Sequence, residues 1–215
     1  MSLDPVLKLD PFYPILPNAD WVARLLPLRL KLVQLRIKDA PSETIRAEIE
    51  TSIELCRAHD CQLVINDYWR EAIAGGADFV HLGQEDLASA DLAAIKSARL
   101  KLGISTHSEE ELATALKADP DYVALGPIYA TKLKQMPWAP QGLPRIAEWR
   151  AKAARPLVAI GGITLETVAL VLDAGASSSA VITDIVTNLN PEERTRAWIA
   201  ATSPWRDLST VFPQG

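Results

Sequence analysis

The sequence predicts a single α/β domain folded as a (β/α)8 barrel, and two observations support this prediction. Eight short apolar runs alternate with longer amphipathic stretches along the chain of 215 residues. Polar and charged residues gather where the apolar runs end. In a barrel those ends converge on one mouth, whereas in an open doubly wound sheet they spread along an edge. This clustering therefore favours the closed TIM barrel.

The eight apolar runs have the length of ordinary strands and are bounded by polar or turn-forming residues. The predicted strands are, in chain order, Tyr13–Leu16, Leu32–Ile37, Leu63–Asn66, Phe79–Leu82, Leu100–Ser105, Tyr122–Gly126, Leu157–Gly161 and Ser179–Thr183.

The stretches between them carry a helical pattern, and several have start or stop signals. Ser42 is followed by the acidic Glu43, Pro191 suits a first helical position, and Gly175 stands where a helix would stop. The predicted helices are Asp20–Leu26, Ser42–His59, Tyr68–Gly75, Asp91–Ala98, Glu109–Lys117, Leu143–Ala153, Thr164–Ala174 and Glu192–Ala201.

Length and composition favour one domain over residues 1–215, with a core of about 12–202 and short irregular tails. No apolar run approaches the roughly 20 residues of a membrane span, and the first ten residues lack an export signal, so we expect a cytoplasmic enzyme. The net charge of −5 argues against a nucleic-acid partner.

Cys56 and Cys61 lack zinc-site companions and are interpreted as free thiols. The expected partners are small molecules, with no membrane partner, and a homo-oligomer stays open.

The second predicted strand carries the first functional signal. Gln34, Arg36 and Lys38 alternate with Leu35 and Ile37, so the polar side chains share one face of the strand. Two cations on an inward face need an anionic partner, and a phosphate or diphosphate suits them. The strand therefore predicts phosphate-ester chemistry.

Two further strand ends carry groups that suit phosphate binding. Asn66 and Asp67 follow the third strand and Asp86 follows the fourth, and two carboxylates suit Mg²⁺ that also holds a diphosphate. Taken singly, each aspartate is also a normal capping residue. Gly161 and Gly162 follow the seventh strand, where barrels commonly bind phosphate, although a Gly-Gly pair is also an ordinary turn.

Six motifs in one order make the chain resemble the thiamine phosphate synthase family over about residues 12–188. They are Gln34-Leu-Arg-Ile-Lys38, Ile65-Asn-Asp-Tyr68, Val80-His-Leu-Gly-Gln-Glu-Asp86, Gly103-Ile-Ser-Thr-His107, Leu125-Gly-Pro-Ile-Tyr129 and Ala159-Ile-Gly-Gly-Ile163. The resemblance implies a TIM barrel that uses Mg²⁺ to condense 4-amino-2-methyl-5-(diphosphooxymethyl)pyrimidine with thiazole phosphate. The products are thiamine phosphate and pyrophosphate, formed by a dissociative mechanism.

The resemblance also implies roles for individual residues. Pyrimidine diphosphate contacts are expected from Gln34, Leu35, Arg36, Ile37, Lys38, Asn66, Ser105 and Lys134, among which Arg36, Lys38, Ser105 and Lys134 are the expected catalytic residues. Asp67 and Asp86 are the implied metal ligands. The thiazole phosphate pocket is expected to comprise Thr131, Lys132, Leu133, Gly162, Ile182 and Thr183.

The chain departs from the family pattern on the thiazole side. Ala130 and Leu133 replace a proline and a threonine, and Thr183-Asp184 replaces Ser-Ala, so the Asp184 carboxylate would repel a phosphate unless it faces outward. The loop from Tyr129 to Gln141 suits either a lid or an ordinary connection. Two alternative functions of the whole chain also stay open.

The first alternative is a thiazole tautomerase-like isomerase, although Pro127 stands where that enzyme has its histidine. The second is a non-catalytic barrel that binds thiamine precursors.

Overall fold

Eight parallel strands close into a barrel in the computed structural model, which describes residues 7–130 and 138–206. Each strand pairs with the next in sequence, and the first pairs with the last, as in Tyr13 opposite Ala180. The predicted barrel is confirmed. Its strands are β1 (Phe12–Leu16), β2 (Leu32–Leu35), β3 (Gln62–Asn66), β4 (Phe79–Leu82), β5 (Lys101–Thr106), β6 (Tyr122–Leu125), β7 (Leu157–Ile160) and β8 (Ser178–Val181).

Helices surround the barrel, and among the described residues none is both long and apolar enough to cross a membrane. They are α1 (Ala19–Leu25), α2 (Ser42–Ala58), α3 (Trp69–Gly75), α4 (Gln84–Ser89), α5 (Leu92–Ser97), α6 (Glu109–Lys117), α7 (Gly142–Ala153), α8 (Val168–Asp173), α9 (Thr183–Val186) and α10 (Pro191–Thr202), with short 3-10 turns at Leu26–Leu28 and Ser203–Trp205.

Two apolar cores follow from the alternation of side chains along the strands. The larger core lies between the barrel and the helices and includes Leu35, Ile37 and Trp149. The smaller core fills the barrel and includes Leu32, Val64 and Tyr122. On β2 to β5 the inward positions nearer the carboxyl ends are polar, with Gln34, Asn66, His81 and Ser105, whereas β1 and β6 to β8 stay apolar there. One side of the barrel mouth is therefore polar.

Gly103 leaves the space that a large ring in the barrel interior requires. A Cβ atom at Gly103 would lie 2.0 Å from Cζ of Tyr122, its partner on the neighbouring strand. Because no side chain fits in that space, glycine at this inward position lets the buried Tyr122 ring cross the barrel.

The structure corrects some predicted boundaries at the barrel mouth. Strand β2 ends at Leu35 instead of Ile37, and Thr183 begins the short helix α9 instead of ending a strand. The chain leaves the extended conformation at Ile182, where φ is −118° and ψ is −75°. Helix α4 was not predicted, and it follows β4 after Gly83 alone.

Candidate active site

The predicted polar face of β2 is only partly present in the structure, because the strand ends at Leu35 and both cations lie beyond it. Gln34 is buried inside the barrel, Arg36 is half-buried beyond it, and Lys38 is exposed further along the chain. Leu35 and Ile37 pack in the outer core, so their side chains face away from the mouth and do not provide the substrate contacts predicted for these two residues. Gln34 and Arg36 therefore lie on the same side of the chain, at the barrel mouth, while Leu35 and Ile37 lie on the other.

The two aspartates predicted as metal ligands lie near each other at this mouth. Asp67 follows β3 with a left-handed φ of 66°, and its N–H donates to the backbone oxygen of His81 over 2.8 Å. Asn66 Nδ2 donates to Asp67 Oδ2, and Asp86 lies in the first turn of α4. Burial, followed by the neighbouring Asp86 carboxylate, raises the pKa of Asp67 to about 6, while the nearby Arg36 opposes the shift.

These carboxylates fit a divalent cation that is shared with a ligand. A metal would relieve the electrostatic conflict that raises the pKa of Asp67, and Mg²⁺ takes one or two carboxylates while substrate oxygens complete its shell. Within the described ranges, no group of three or more His, Cys, Asp or Glu side chains could hold a metal ion. The donor set therefore suits a cation that binds together with a phosphate-bearing molecule.

Ser105 lies across the mouth, at the end of β5, and two neighbours position it. Gln84 Nε2 donates to the Ser105 backbone oxygen over 2.6 Å, and the Ser105 hydroxyl lies 2.8 Å from Nε2 of His81. Burial, with a smaller contribution from Arg36, lowers the pKa of His81 to about 4, so this imidazole is neutral at pH 7.

A second group of predicted residues lies where β7 and β8 end. Gly162 has a φ of 67°, and a Cβ atom there would lie 2.5 Å from the backbone oxygen of Ala130, so only glycine allows this close approach. Ile182 is half-buried and Thr183 is exposed at the end of the adjacent β8. Gly162, Ile182 and Thr183 thus follow neighbouring strands at the same end of the barrel.

Asp184 is held on the outer side of α9 by residues of α10. Its carboxylate accepts hydrogen bonds from Nε and Nη2 of Arg194, at 2.8 and 2.9 Å, and from Nε1 of Trp198, at 2.6 Å. These three bonds neutralise the carboxylate locally. The unusual aspartate is therefore occupied by structural contacts.

Four predicted site residues, Thr131, Lys132, Leu133 and Lys134, lie outside the described residues. The same holds for part of the predicted loop from Tyr129 to Gln141. Its two described ends are anchored: Tyr129 N–H donates to Gly161 O over 3.0 Å, and Gln141 N–H donates to Pro127 O over 2.8 Å.

Three polar residues of the barrel interior were not predicted as site residues. Tyr13, His81 and Tyr122 are buried and hydrogen-bonded to one another in series, and they connect to Gln34 and Ser105. Each occupies an inward position of a predicted strand. A polar side chain in the inward phase of a barrel strand is the signal that could have identified them.

Comparison with known proteins identifies the relatives of this chain. The family model described as thiamine monophosphate synthase matches residues 14–185. A thiamine-phosphate synthase of Rhizobium etli is 62% identical over 94% of this chain and 100% of its own length. One from Neisseria gonorrhoeae is 46% identical over 93% of this chain and 98% of its own length. The solved thiamine phosphate pyrophosphorylase of Pyrococcus furiosus superposes with a TM-score of 0.80 at 27% identity, covering 91% of this chain and 96% of that one.

Proposed function

The chain belongs to the thiamine monophosphate synthase family of transferases, and we propose that it condenses an aminopyrimidine bearing a diphosphooxymethyl group with a thiazole phosphate. The products would be thiamine phosphate and pyrophosphate. The observation that carries this proposal is the gathering of Arg36, Asn66, Ser105 and two aspartates at one mouth of the barrel. A guanidinium, an amide and a hydroxyl all donate hydrogen bonds, which a diphosphate accepts.

The proposed reaction breaks the bond between the pyrimidine methylene carbon and the diphosphate oxygen, and the electron pair leaves with the diphosphate. The thiazole nitrogen then supplies its lone pair to the resulting carbocation and forms the new C–N bond. No side chain needs to act as a nucleophile. The protein needs to hold the two reactants in line and to stabilise negative charge on the departing diphosphate.

Arg36 is proposed to stabilise that leaving group. It is half-buried at the mouth, where its charge lowers the pKa of His81 and opposes the raised pKa of Asp67. A cation in a partly desolvated position interacts more strongly with developing charge than one in bulk water. Lys38 and Lys134 are proposed to assist it, and Ser105 is proposed to donate to a diphosphate oxygen.

Asp67 and Asp86 are proposed to hold Mg²⁺ together with the diphosphate. When bound, the ion would neutralise part of the diphosphate charge and so make it a better leaving group. The carboxylate pair supports this assignment, because burial and mutual repulsion penalise the two negative charges when no cation lies between them.

The thiazole phosphate is proposed to bind where β7 and β8 end, at Gly162, Ile182 and Thr183. Support comes from their placement after adjacent strands, the usual phosphate position in barrels of this type. Thr131, Lys132 and Leu133 are proposed to complete this pocket. Asp184 does not argue against it, because that carboxylate is bonded to Arg194 and Trp198.

The tautomerase alternative has less support. Pro127 occupies the position at which that enzyme carries its catalytic histidine, and proline offers no group for proton transfer. A non-catalytic barrel that binds the same precursors would keep the mouth described above but would not turn over. A cytoplasmic location remains a prediction, and the oligomeric state stays open.

One assay tests the proposal directly. The purified protein is incubated with both precursors and Mg²⁺, and thiamine phosphate and pyrophosphate are quantified. Equal amounts of both products, formed only when both precursors are present, are expected. Saturable binding without product would favour the non-catalytic barrel, and isomerisation of the thiazole without pyrophosphate would favour the tautomerase.

A further inference from the structure

A chain of hydrogen bonds crosses the barrel interior below the mouth and joins two proposed substrate contacts. Gln34 Nε2 donates to the Tyr13 hydroxyl over 3.0 Å, and this hydroxyl lies 3.2 Å from the hydroxyl of Tyr122. The Tyr122 hydroxyl lies 3.0 Å from Nδ1 of His81, and Nε2 of His81 lies 2.8 Å from Ser105 Oγ. The chain thus starts at Gln34 on β2 and ends at Ser105 on β5.

The donors and acceptors of this series can be assigned so that each group donates toward Ser105. An amide nitrogen only donates, so the Tyr13 hydroxyl accepts from Gln34. We assign the Tyr13 proton to the Tyr122 hydroxyl, because this assignment gives the proton of each member of the series an acceptor. Tyr122 then donates to His81 Nδ1, which must be unprotonated. The ring carries its single proton on Nε2 and donates to Ser105 Oγ, so the serine proton stays available for an acceptor at the mouth.

The charge states of the buried members agree with this inventory. Burial raises the pKa of the Tyr13 and Tyr122 phenols, so both keep their protons at neutral pH. His81 is 7% exposed, and burial favours the neutral ring with one N–H, which can donate at one nitrogen and accept at the other.

The donor and acceptor roles of Gln34 and Ser105, at the two ends of this series of hydrogen bonds, therefore depend on each other. In the assigned direction Gln34 keeps its carbonyl oxygen for a donor and Ser105 keeps its proton for an acceptor. If Gln34 turned its amide around, Tyr13 would donate to it, every link would reverse, and the Ser105 proton would go to His81. Ser105 would then present a lone pair to the diphosphate, which repels it.

We propose that Tyr13, Tyr122 and His81 are positioning residues that make recognition of the pyrimidine amino group at Gln34 and of the diphosphate at Ser105 depend on each other. The inference rests on the proposed function, since it takes an aminopyrimidine diphosphate as the ligand. An amino group donates to the Gln34 carbonyl and keeps the hydrogen bonds in the assigned direction. A 4-oxo pyrimidine is an acceptor, so it turns the Gln34 amide around and removes the Ser105 donor from the diphosphate.

The first test compares dissociation constants of the 4-amino and 4-oxo pyrimidine diphosphates, measured by calorimetry with Mg²⁺ and without thiazole phosphate. Tyr122→Phe keeps the ring that Gly103 accommodates and removes the middle link, so Gln34 can turn without affecting Ser105. The preference of the wild-type protein for the amino compound should fall about 10- to 100-fold in this variant, the value of one hydrogen bond to a charged group.

Thr106→Val is the matched control. Thr106 follows Ser105 but faces the outer core, where its hydroxyl donates to Ala124 O and accepts from Trp149 Nε1. This variant also loses a buried hydroxyl, yet it should leave the ratio of the two dissociation constants unchanged. If Tyr122→Phe does not fold, Tyr13→Phe removes the adjacent link and should lower the ratio in the same way.

The second test reads the tautomer of His81 and needs no pyrimidine. Nitrogen NMR of histidine-labelled protein with Mg²⁺ and pyrophosphate should show the Nε2–H tautomer, with the signal assigned through His81→Gln. An Nδ1–H tautomer, or an unchanged ratio of dissociation constants in a folded tyrosine variant, would overturn the proposal. Failure of both pyrimidines to bind would instead count against the proposed function, while the tautomer would still test the direction of the chain.

Discussion

The carboxylate of Asp184 and the guanidinium of Arg194 form a two-point ion pair, with Nε to Oδ2 at 2.8 Å and Nη2 to Oδ1 at 2.9 Å. This pair ties the short helix α9 to α10. It also directs the charge of Asp184 away from the proposed phosphate pocket, although the neighbouring Thr183 is proposed to line that pocket.

The first prediction follows from this ion pair. Asp184→Ala should lower the free energy of unfolding by roughly 1–3 kcal/mol, because it leaves Arg194 and Trp198 without their half-buried acceptor. The Michaelis constant for thiazole phosphate should change little. Urea unfolding and initial rates measure the two quantities. Arg24→Ala, which breaks an exposed pair with Glu192, is the stability control and should cost less.

The second prediction concerns Arg36 at the barrel mouth. Arg36→Ala should lower turnover far more than stability, because a charge-assisted contact to the leaving group strengthens as negative charge develops. Steady-state rates and thermal unfolding are compared in the same preparation. Arg155→Ala is a suitable control, since Arg155 precedes β7 and pairs with Asp119 at the opposite end of the barrel. Undiminished turnover in folded Arg36→Ala would contradict the assigned role.

The third prediction concerns Asp67 and uses its raised pKa. A carboxyl whose pKa is about 6 when folded, against 3.8 ordinarily, binds protons more tightly in the folded state, so it lowers stability as pH rises from about 4 to 6. Asp67→Asn should therefore raise the melting temperature of the metal-free protein at pH 7, with a smaller gain at pH 4.5. Thermal unfolding at both pH values checks the sign.

The same carboxylates should control the response to Mg²⁺. Asp67→Asn and Asp86→Asn should each raise the Mg²⁺ concentration needed for half-maximal rate and depress the maximal rate. Titration of activity with Mg²⁺ measures both effects. Full activity of the wild-type protein in EDTA would show that the metal assignment is wrong.

The fifth prediction concerns Leu133, which stands where similar enzymes carry a threonine. A hydrogen bond to a charged group contributes about 1.5–3 kcal/mol, so Leu133→Thr should lower the Michaelis constant for thiazole phosphate by roughly tenfold. The constant for the pyrimidine diphosphate should stay nearly unchanged, because its proposed contacts are mainly on β2 to β5. If neither constant moves, the threonine position inferred from spacing is wrong.

Much of the fold was predictable from local pattern. The two-residue repeat around Leu35 and Ile37 predicted that both side chains share one face, and the structure places both in the outer core although β2 itself ends at Leu35. Element ends were less predictable. Thr183 begins α9 instead of extending β8, and the next residue, Asp184, is bonded to Arg194 of α10, a contact that strand periodicity does not reveal.

The sequence by itself determined the fold class, the alternation of inward and outward positions on the strands, and the family. Strand periodicity and the order of motifs are local or linear properties of the sequence. Only the tertiary structure decided which polar side chains meet. Tyr13 and Tyr122 are 109 residues apart, and their hydroxyls face each other because closure of the barrel brings their inward positions together. Ring closure, register and the space above Gly103 set that contact, and none of these is encoded in a local pattern.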